Sequence, residues 1–348
     1  MTKFDAILKF ANQVIHSEGV VIGAPIVIDE ILFVPIIKEG KPREERDYIT
    51  LSEALDKNLC EITEKGTEIQ HIVFLNKAEV PILIEEGEIF LGQGTQDRIC
   101  VSTVMVHPDS KIEVPVKCVH APHMLSGGAR FGYGGKGSRG MLEKMRSMKY
   151  FNANANIGAS RINQSEVWEN VASETASDNE SSDKSQYTQT ILGRMKTAFD
   201  RSESVTFPEN TIGLAVVNQG GVIKGLEIHR SPHNFKVRKS GFFTSLEGQV
   251  RWNEGLSPIS SETAKEKVLN LFKKFETMKE GKDIKKQIEV EGLVINMEDS
   301  GITGEVFSSR FYSDICPDCG AKKKRTSVCN SCGFREESED EFAYMSLL

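Results

Sequence analysis

The chain has 348 residues, of which 39% are hydrophobic and 27% charged, with a formal net charge of −7. That length suggests one large domain with a small module, or two domains, rather than a single compact unit. The acid excess excludes a nucleic-acid binder that works through its whole surface and leaves only a local basic patch open; no apolar run reaches the ~18 residues of a membrane helix.

Near the start, Ile7, Phe10, Ala11 and Val14 fall at helical spacing among Lys3, Asp5, Lys9 and Glu18, the pattern of an amphipathic surface helix. No small-residue cleavage site follows, so the segment is not read as a targeting peptide and a cytoplasmic protein is expected. Residues 20–37 are rich in Val, Ile and Pro, as expected for short strands broken at Pro25 and Pro35. A short helix is expected at 50–55. From Ile69 to Val119 strands dominate, with turns at Gly92–Gly94 and His107–Ser110. Ile112, Val114, Val116, Cys118 and His120 alternate onto one face of the clearest strand. Cys60, Cys100 and Cys118 are an odd set within apolar segments, expected as buried, reduced thiols.

Residues 127–151 are glycine-rich and basic, and the stretch that follows becomes acidic and serine-rich. Residues 127–190 are therefore expected as a flexible insert. Gly135–Gly140 matches G-x-G-x-x-G, but no strand directly precedes it and no βαβ unit surrounds it, which argues against a dinucleotide fingerprint. A basic loop able to close over a phosphate stays open. A hairpin is expected around the Asn218–Gly221 turn, and a helix after Ser260 with Val268, Leu271, Phe272 and Phe275 on one face. Two more strands flank Asp299-Ser300-Gly301. The fold class is α+β: a mainly antiparallel β-sheet body with a few helices, plus a small four-cysteine ribbon.

That ribbon is Cys316-x2-Cys319-x9-Cys329-x2-Cys332, with Gly320 and Gly333 directly after each pair. Two thiolates from one tight turn reach one ion, and two such turns complete a tetrahedron with no position for water. A structural Zn2+ is expected there. The boundaries are a body over 1–312, the ribbon over 313–335 and an acidic tail over 336–348. Lys322, Lys323, Lys324 and Arg325 form a basic tip, read either as a solvated hairpin or as a contact for RNA phosphates or a protein.

In the body, Glu85, Glu86 and Glu88, with Gln96, Asp97 and Arg98 after the turn, make a polar cluster between apolar strands. They are either a ligand-facing constellation or a turn held by its own salt bridges. His120 and His123 leave the clearest strand, where a general base or weak metal pair is conceivable, without a third ligand. No catalytic motif is present, and whether the protein is an enzyme stays open.

LSEAL, LNKAEVPILIEEGEIFLGQGTQDRICVSTVMV, KIEVPVKCVH, QSEVW and GLAVVNQGGVIKGLEIHRSPHNF occur in that order. Together they resemble the ADP-ribosylglycohydrolase and rhodanese-phosphatase associated protein domain across residues 20–312. The matching motifs are Gly87-Glu88, Gly92 to Arg98, Val114 to Val119 and Gln164 to Trp168. Where the family has Glu and then an Arg-Trp pair, this chain has His120 and then Ala121-Pro122-His123. The resemblance implies a context of ADP-ribose and NAD-linked metabolism and no particular reaction. A nucleotide-binding protein is expected first. An RNA-docking adaptor is the alternative, as is a protein–protein scaffold with Phe342–Leu348 as its docking tail.

Overall fold

The computed structural model describes residues 2–28, 31–40, 47–66, 68–119, 128–158, 161–176, 186–247, 259–287, 292–297 and 301–348. Helix α1 (Lys3–Ile15) opens on a capping box: the Thr2 hydroxyl accepts from the Asp5 amide, and the Asp5 carboxylate accepts from the Thr2 amide. Two otherwise orphaned donors are thereby satisfied. Strands β1 (Val20–Ile22), β2 (Ile26–Ile28), β3 (Ile31–Lys38) and β4 (Ile49–Thr50) follow, then α2 (Leu51–Asp56) with a second capping box. A long run of strands comes next: β5 (Cys60–Lys65), β6 (Glu68–Asn76), β7 (Ile82–Ile84), β8 (Glu88–Gln93), β9 (Arg98–Cys100), β10 (Val104–Val106), β11 (Lys111–Cys118) and β12 (Arg130–Lys136). Helices α3 (Arg139–Asn154), α4 (Gln164–Ala176) and α5 (Gln186–Ser204) lead to the hairpin of β13 (Thr211–Val217) and β14 (Ile223–His229). The order ends with α6 (Pro232–Leu246), α7 (Ser261–Phe275), β15 (Ile284–Lys286), β16 (Leu293–Met297), β17 (Ile302–Arg310) and β18 (Asp340–Leu347).

The strands sort into two large bodies. Six of them, in the order β11–β6–β5–β12–β8–β9, close into a barrel, and β10–β7–β4 form a small sheet. Nine others make one sheet in the order β1–β3–β13–β14–β18–β17–β16–β15, with β2 also paired to β3. Pairing is antiparallel except between β4 and β7, so the α+β expectation holds. Barrel closure was not foreseen, because alternation of side chains is the same in an open and a closed sheet.

The large sheet is buried on both faces, and the period of two shows in its central strands. Leu32, Val34 and Ile36 of β3 with Ala215 and Val217 of β13 face α1 and α7, where Phe10, Val268 and Phe272 pack. Phe33, Leu214 and Val216 face Phe242 and Phe243 of α6. The barrel is filled by Ile62, Ile72, Phe74, Phe90, Val114, Val116 and Phe131. The helix expected after Ser260 is α7, capped by the Ser260 hydroxyl. Helix α6 went unread because Arg238 is buried beside Phe235, Phe242 and Phe243, leaving no one-sided apolar stripe.

Three expectations change. Pro35 does not break a strand: it lies inside β3, opposite Leu214, at the point where pairing with β1 ends. The glycine-rich stretch is barrel strand and helix rather than a loop. Its glycines serve close packing, since a Cβ at Gly134 would come within 2.7 Å of Ile89 Cγ2, and Gly135, at φ +95°, lies against Met195. Residues 342–348 are not a docking tail. Residues 342–347 belong to β18, between β14 and β17, and Phe342 to Leu348 are buried. That segment is apolar because a central strand is covered on both faces.

Candidate functional site

The ribbon is the connection between β17 and β18. Those strands pair as far as Arg310 and Asp340, and residues 311–339 fill the gap. Each half is a small turn closed by backbone. The Gly320 amide donates to the Cys316 carbonyl at 2.9 Å and the Gly333 amide to the Cys329 carbonyl at 2.8 Å. Both glycines have φ above +70°, the region only glycine enters freely. Cys316 Sγ lies 3.7 Å from Cys332 Sγ, and Cys319 Sγ lies 3.8 Å from Cys329 Sγ. All four sulfurs fall within 4.8 Å of one another. A tetrahedron with metal–sulfur distances of about 2.3 Å has sulfurs about 3.8 Å apart, so these four cysteines could hold a metal ion. The amides of Cys332 and Ser331 point at Cys329 and lower its pKa to about 6; at Cys332 the Phe334 amide also lowers the thiol, but the neighbouring cysteine thiols outweigh it and raise it to about 12.

At the basic tip, Lys323 reaches Glu336 at 2.6 Å, Lys324 reaches Asp109 at 2.7 Å and Arg325 lies 3.5 Å from Asp47. Lys322 is exposed. Ile315 and Phe334, beside the two knuckles, are also exposed.

The segments carrying the family motifs converge at one end of the barrel. Arg98, fully buried, donates to Glu64 Oε1 at 2.8 Å and to the Gln96 carbonyl at 2.9 Å. The Gln96 side-chain oxygen also accepts from Cys118 Sγ at 3.0 Å. Gln164 at the start of α4 clamps the Cys118 backbone, donating to its carbonyl at 2.8 Å and accepting from its amide at 3.0 Å. Asp97 closes the turn by accepting from the Gly92 amide at 2.8 Å. A Cβ on Gly92 would sit 2.3 Å from the Thr95 carbonyl oxygen, so this turn requires glycine. Gln96, Asp97 and Arg98 are thus brought together, whereas Glu88 belongs to a different network. His120 and His123 lie outside the described residues. Arg98 Nε and Glu64 Oε2 are buried and have no hydrogen-bond partner among the described residues.

Glu88 is one of three carboxylates in the Glu85-Glu86-Gly87-Glu88 turn, and the spacing alone did not disclose what they face. Glu85 receives Lys136 at 2.8 Å and Arg238 at 2.9 Å, and Glu88 lies 3.0 Å from Arg238. Lys136 of the barrel also bonds Glu227 of β14 and, at 3.1 Å, the Tyr344 hydroxyl of β18. On the other side of the turn, Glu86 receives Arg146 at 2.7 Å and Lys149 at 2.5 Å. Arg146 reaches on to Ser346 at 2.8 Å, and Glu305 accepts from the Thr103 hydroxyl at 2.9 Å. These groups form a seam that ties barrel, α3 and sheet together. Burial opposes the charge of Glu85, yet Arg238 and Lys136 hold it below the usual carboxylate range. For Glu88 burial, with the nearby charge of Glu85, outweighs Arg238 and lifts the carboxyl to about 7.

Glu85, Glu227 and His229 also offer ligand atoms within 4.8 Å of one another. The ammonium of Lys136 already bridges the two carboxylates and Arg238 covers Glu85, so cationic charge is supplied there by the protein itself. Cys100 and Cys118 are buried and Cys60 half-buried; burial raises all three thiols, Cys60 to about 12. Among the described residues no helix is long and apolar enough to cross a membrane.

No curated protein and no solved structure matches the chain. Residues 19–304 match the ARG and Rhodanese-Phosphatase-superfamily-associated Protein domain. With that domain spanning the barrel, most of the large sheet and the convergent Gln96–Arg98, Cys118 and Gln164 cluster, the chain belongs to this family.

Proposed function

We propose that this protein is a cytoplasmic zinc-ribbon binding protein that recognises ADP-ribose or a related nucleotide at the Gln96–Arg98 end of its barrel. The carrying observation is that separated family motifs meet there around Arg98, where a guanidinium N–H and a Glu64 carboxylate oxygen are buried with no hydrogen-bond partner among the described residues. Such groups match the alternating donors and acceptors of a ribose or nucleobase edge, and leaving them unmade is costly. The family context points to the same ligand class.

Zinc is favoured for the ribbon because four thiolates select a soft or borderline ion over magnesium or calcium. A four-thiolate shell leaves no position for a reacting water, which makes the metal structural. Calorimetric titration of the metal-loaded protein with ADP-ribose tests the main reading. Saturable binding near micromolar, weakened at least tenfold by Gln96→Ala, is expected. Flat heats, or unchanged affinity in that variant, would sink it.

The exposed Lys322, Ile315 and Phe334 favour a second reading, docking of the ribbon on RNA or a protein. For RNA it requires the pairs of Lys323, Lys324 and Arg325 to give way to phosphates. Binding of a single-stranded RNA that weakens steeply with salt and is lost in Lys322→Ala/Lys324→Ala would favour it.

A further inference from the structure

We infer that metal in the ribbon sets the last strand of the large sheet, and with it one wall of an open cleft outside the barrel. The inference rests on the reading of the four cysteines as a metal site. It begins with topology. β18 reaches its place between β14 and β17 only after the chain has passed through residues 311–339. That connection is far longer than a hairpin turn, and its ends stay together only if something closes it.

Within residues 311–339 the two halves are closed by a few polar contacts: Lys323 reaches Glu336 at 2.6 Å, and the Glu336 amide donates to the Ser327 carbonyl at 2.7 Å. Ile315 bridges to Lys322 and Val328 to Arg335, and each of these single-bridge turns is completed by its own cysteine pair. Ser338 donates to the Phe311 carbonyl at 2.9 Å, part-buried, and Ser313 to Glu336 at 3.1 Å, exposed. Cys316 and Cys332 stand near the two ends of the connection, so an ion bound to both joins the strand leaving β17 to the strand entering β18.

Past the ribbon, the effect reaches the cleft. Its volume is about 670 Å³, and its lining includes Phe10, Lys38, Arg230, Glu339, Glu341 and Phe342. Glu339 to Phe342 are the residues by which the chain re-enters the sheet. Arg230 binds this wall directly, donating to Glu341 at 2.8 Å and to the Phe342 carbonyl at 3.2 Å. The same guanidinium donates to Asp47 at 2.5 Å, and Asp47 faces Arg325 of the ribbon at 3.5 Å. Arg230 also stacks over Phe311, 4.2 Å from the ring centroid. Ribbon, cleft wall and last strand therefore share one set of contacts, and metal occupancy shifts them as a unit.

Amide hydrogen exchange on the full-length protein tests this without any nucleotide, so its failure is separate from failure of the ADP-ribose reading. Metal content is measured first, then zinc is removed with a chelator and titrated back. Expected is a loss of protection in residues 340–347 of at least tenfold, restored in step with one zinc per chain. Faster exchange confined to residues 311–339, or no stoichiometric metal, overturns the inference. Should the metal-free protein unfold throughout, a variant with residues 312–338 replaced by a short Gly-Ser turn decides. Metal-independent protection of its last strand supports loop closure as the metal's role, and absence of that protection overturns it.

Discussion

The ribbon and the seam between barrel and sheet hold the chain together by different chemistry. In the ribbon four thiols from two neighbouring turns meet within 4.8 Å. In the seam, carboxylates and cations converge from distant segments, Lys136 and Tyr344 being 208 positions apart. The ribbon is built locally and, as a metal site, would depend on an outside ion. The seam depends only on the finished fold, and every partner in it is a hazard once another is removed, because the charge left behind has no water. Locality therefore decides both how a site is read and how it fails.

The largest expected effect lies in the seam. Glu86→Ala leaves Arg146 and Lys149 buried with their shared carboxylate gone. We expect a loss of about 3–5 kcal/mol in urea unfolding. A cost under about 1 kcal/mol would show that water enters the seam and would erase its contrast with the ribbon.

Metal removal comes next. On the reading of the four cysteines as a metal site, removing the metal would free a connection whose closure entropy is about 3 kcal/mol for its length. The melting temperature should fall on chelation in the wild-type protein and not respond to chelator in Cys319→Ala. A wild-type protein indifferent to chelator would make the ribbon an ornament.

A smaller, pH-dependent effect belongs to Glu88. Its carboxyl is raised to about 7 in the folded chain against an ordinary 4.5, so the folded state holds a proton that the unfolded state releases. Stability from this group is full below about 4.5 and is lost as pH rises toward 7. Glu88→Gln keeps the neutral form, so the decline between those pH values should be missing from its stability curve. Parallel curves for variant and wild type from pH 4.5 to 8 would mean that Glu88 is ionised throughout. The smallest effect is at the ribbon tip: Lys324→Ala breaks an exposed pair with Asp109 and should cost under about 1 kcal/mol in the same urea assay.

What could be read from sequence follows the same division. The cysteine spacing announced the ribbon because its ligands are set by contacts a few residues apart. The helices α1 and α7 and the β13–β14 hairpin were legible for the same reason: capping, stripe and turn are local. The seam was not. Its acids Glu85 and Glu86 show in the sequence, with Glu88, as a polar group between apolar strands, but their partners do not: only the pairing of β12, β14 and β18 brings Lys136, Glu227 and Tyr344 together around Glu85. Gln96, Asp97 and Arg98 were found as a polar cluster, while Glu64 and Gln164, which complete it, lie at distances only the barrel resolves. The last strand was misread because a strand buried on both faces and a sticky tail have the same composition.

The position of β18 also bears on how the protein is made. Synthesis delivers this strand after its two sheet neighbours, so the nascent chain carries β14 and β17 with facing edges unpaired until the ribbon has emerged. Open edges of that kind invite pairing with other chains. A metal that folds the ribbon as it appears would bring β18 against β17 at once, and cells short of zinc would then show this protein first as aggregate.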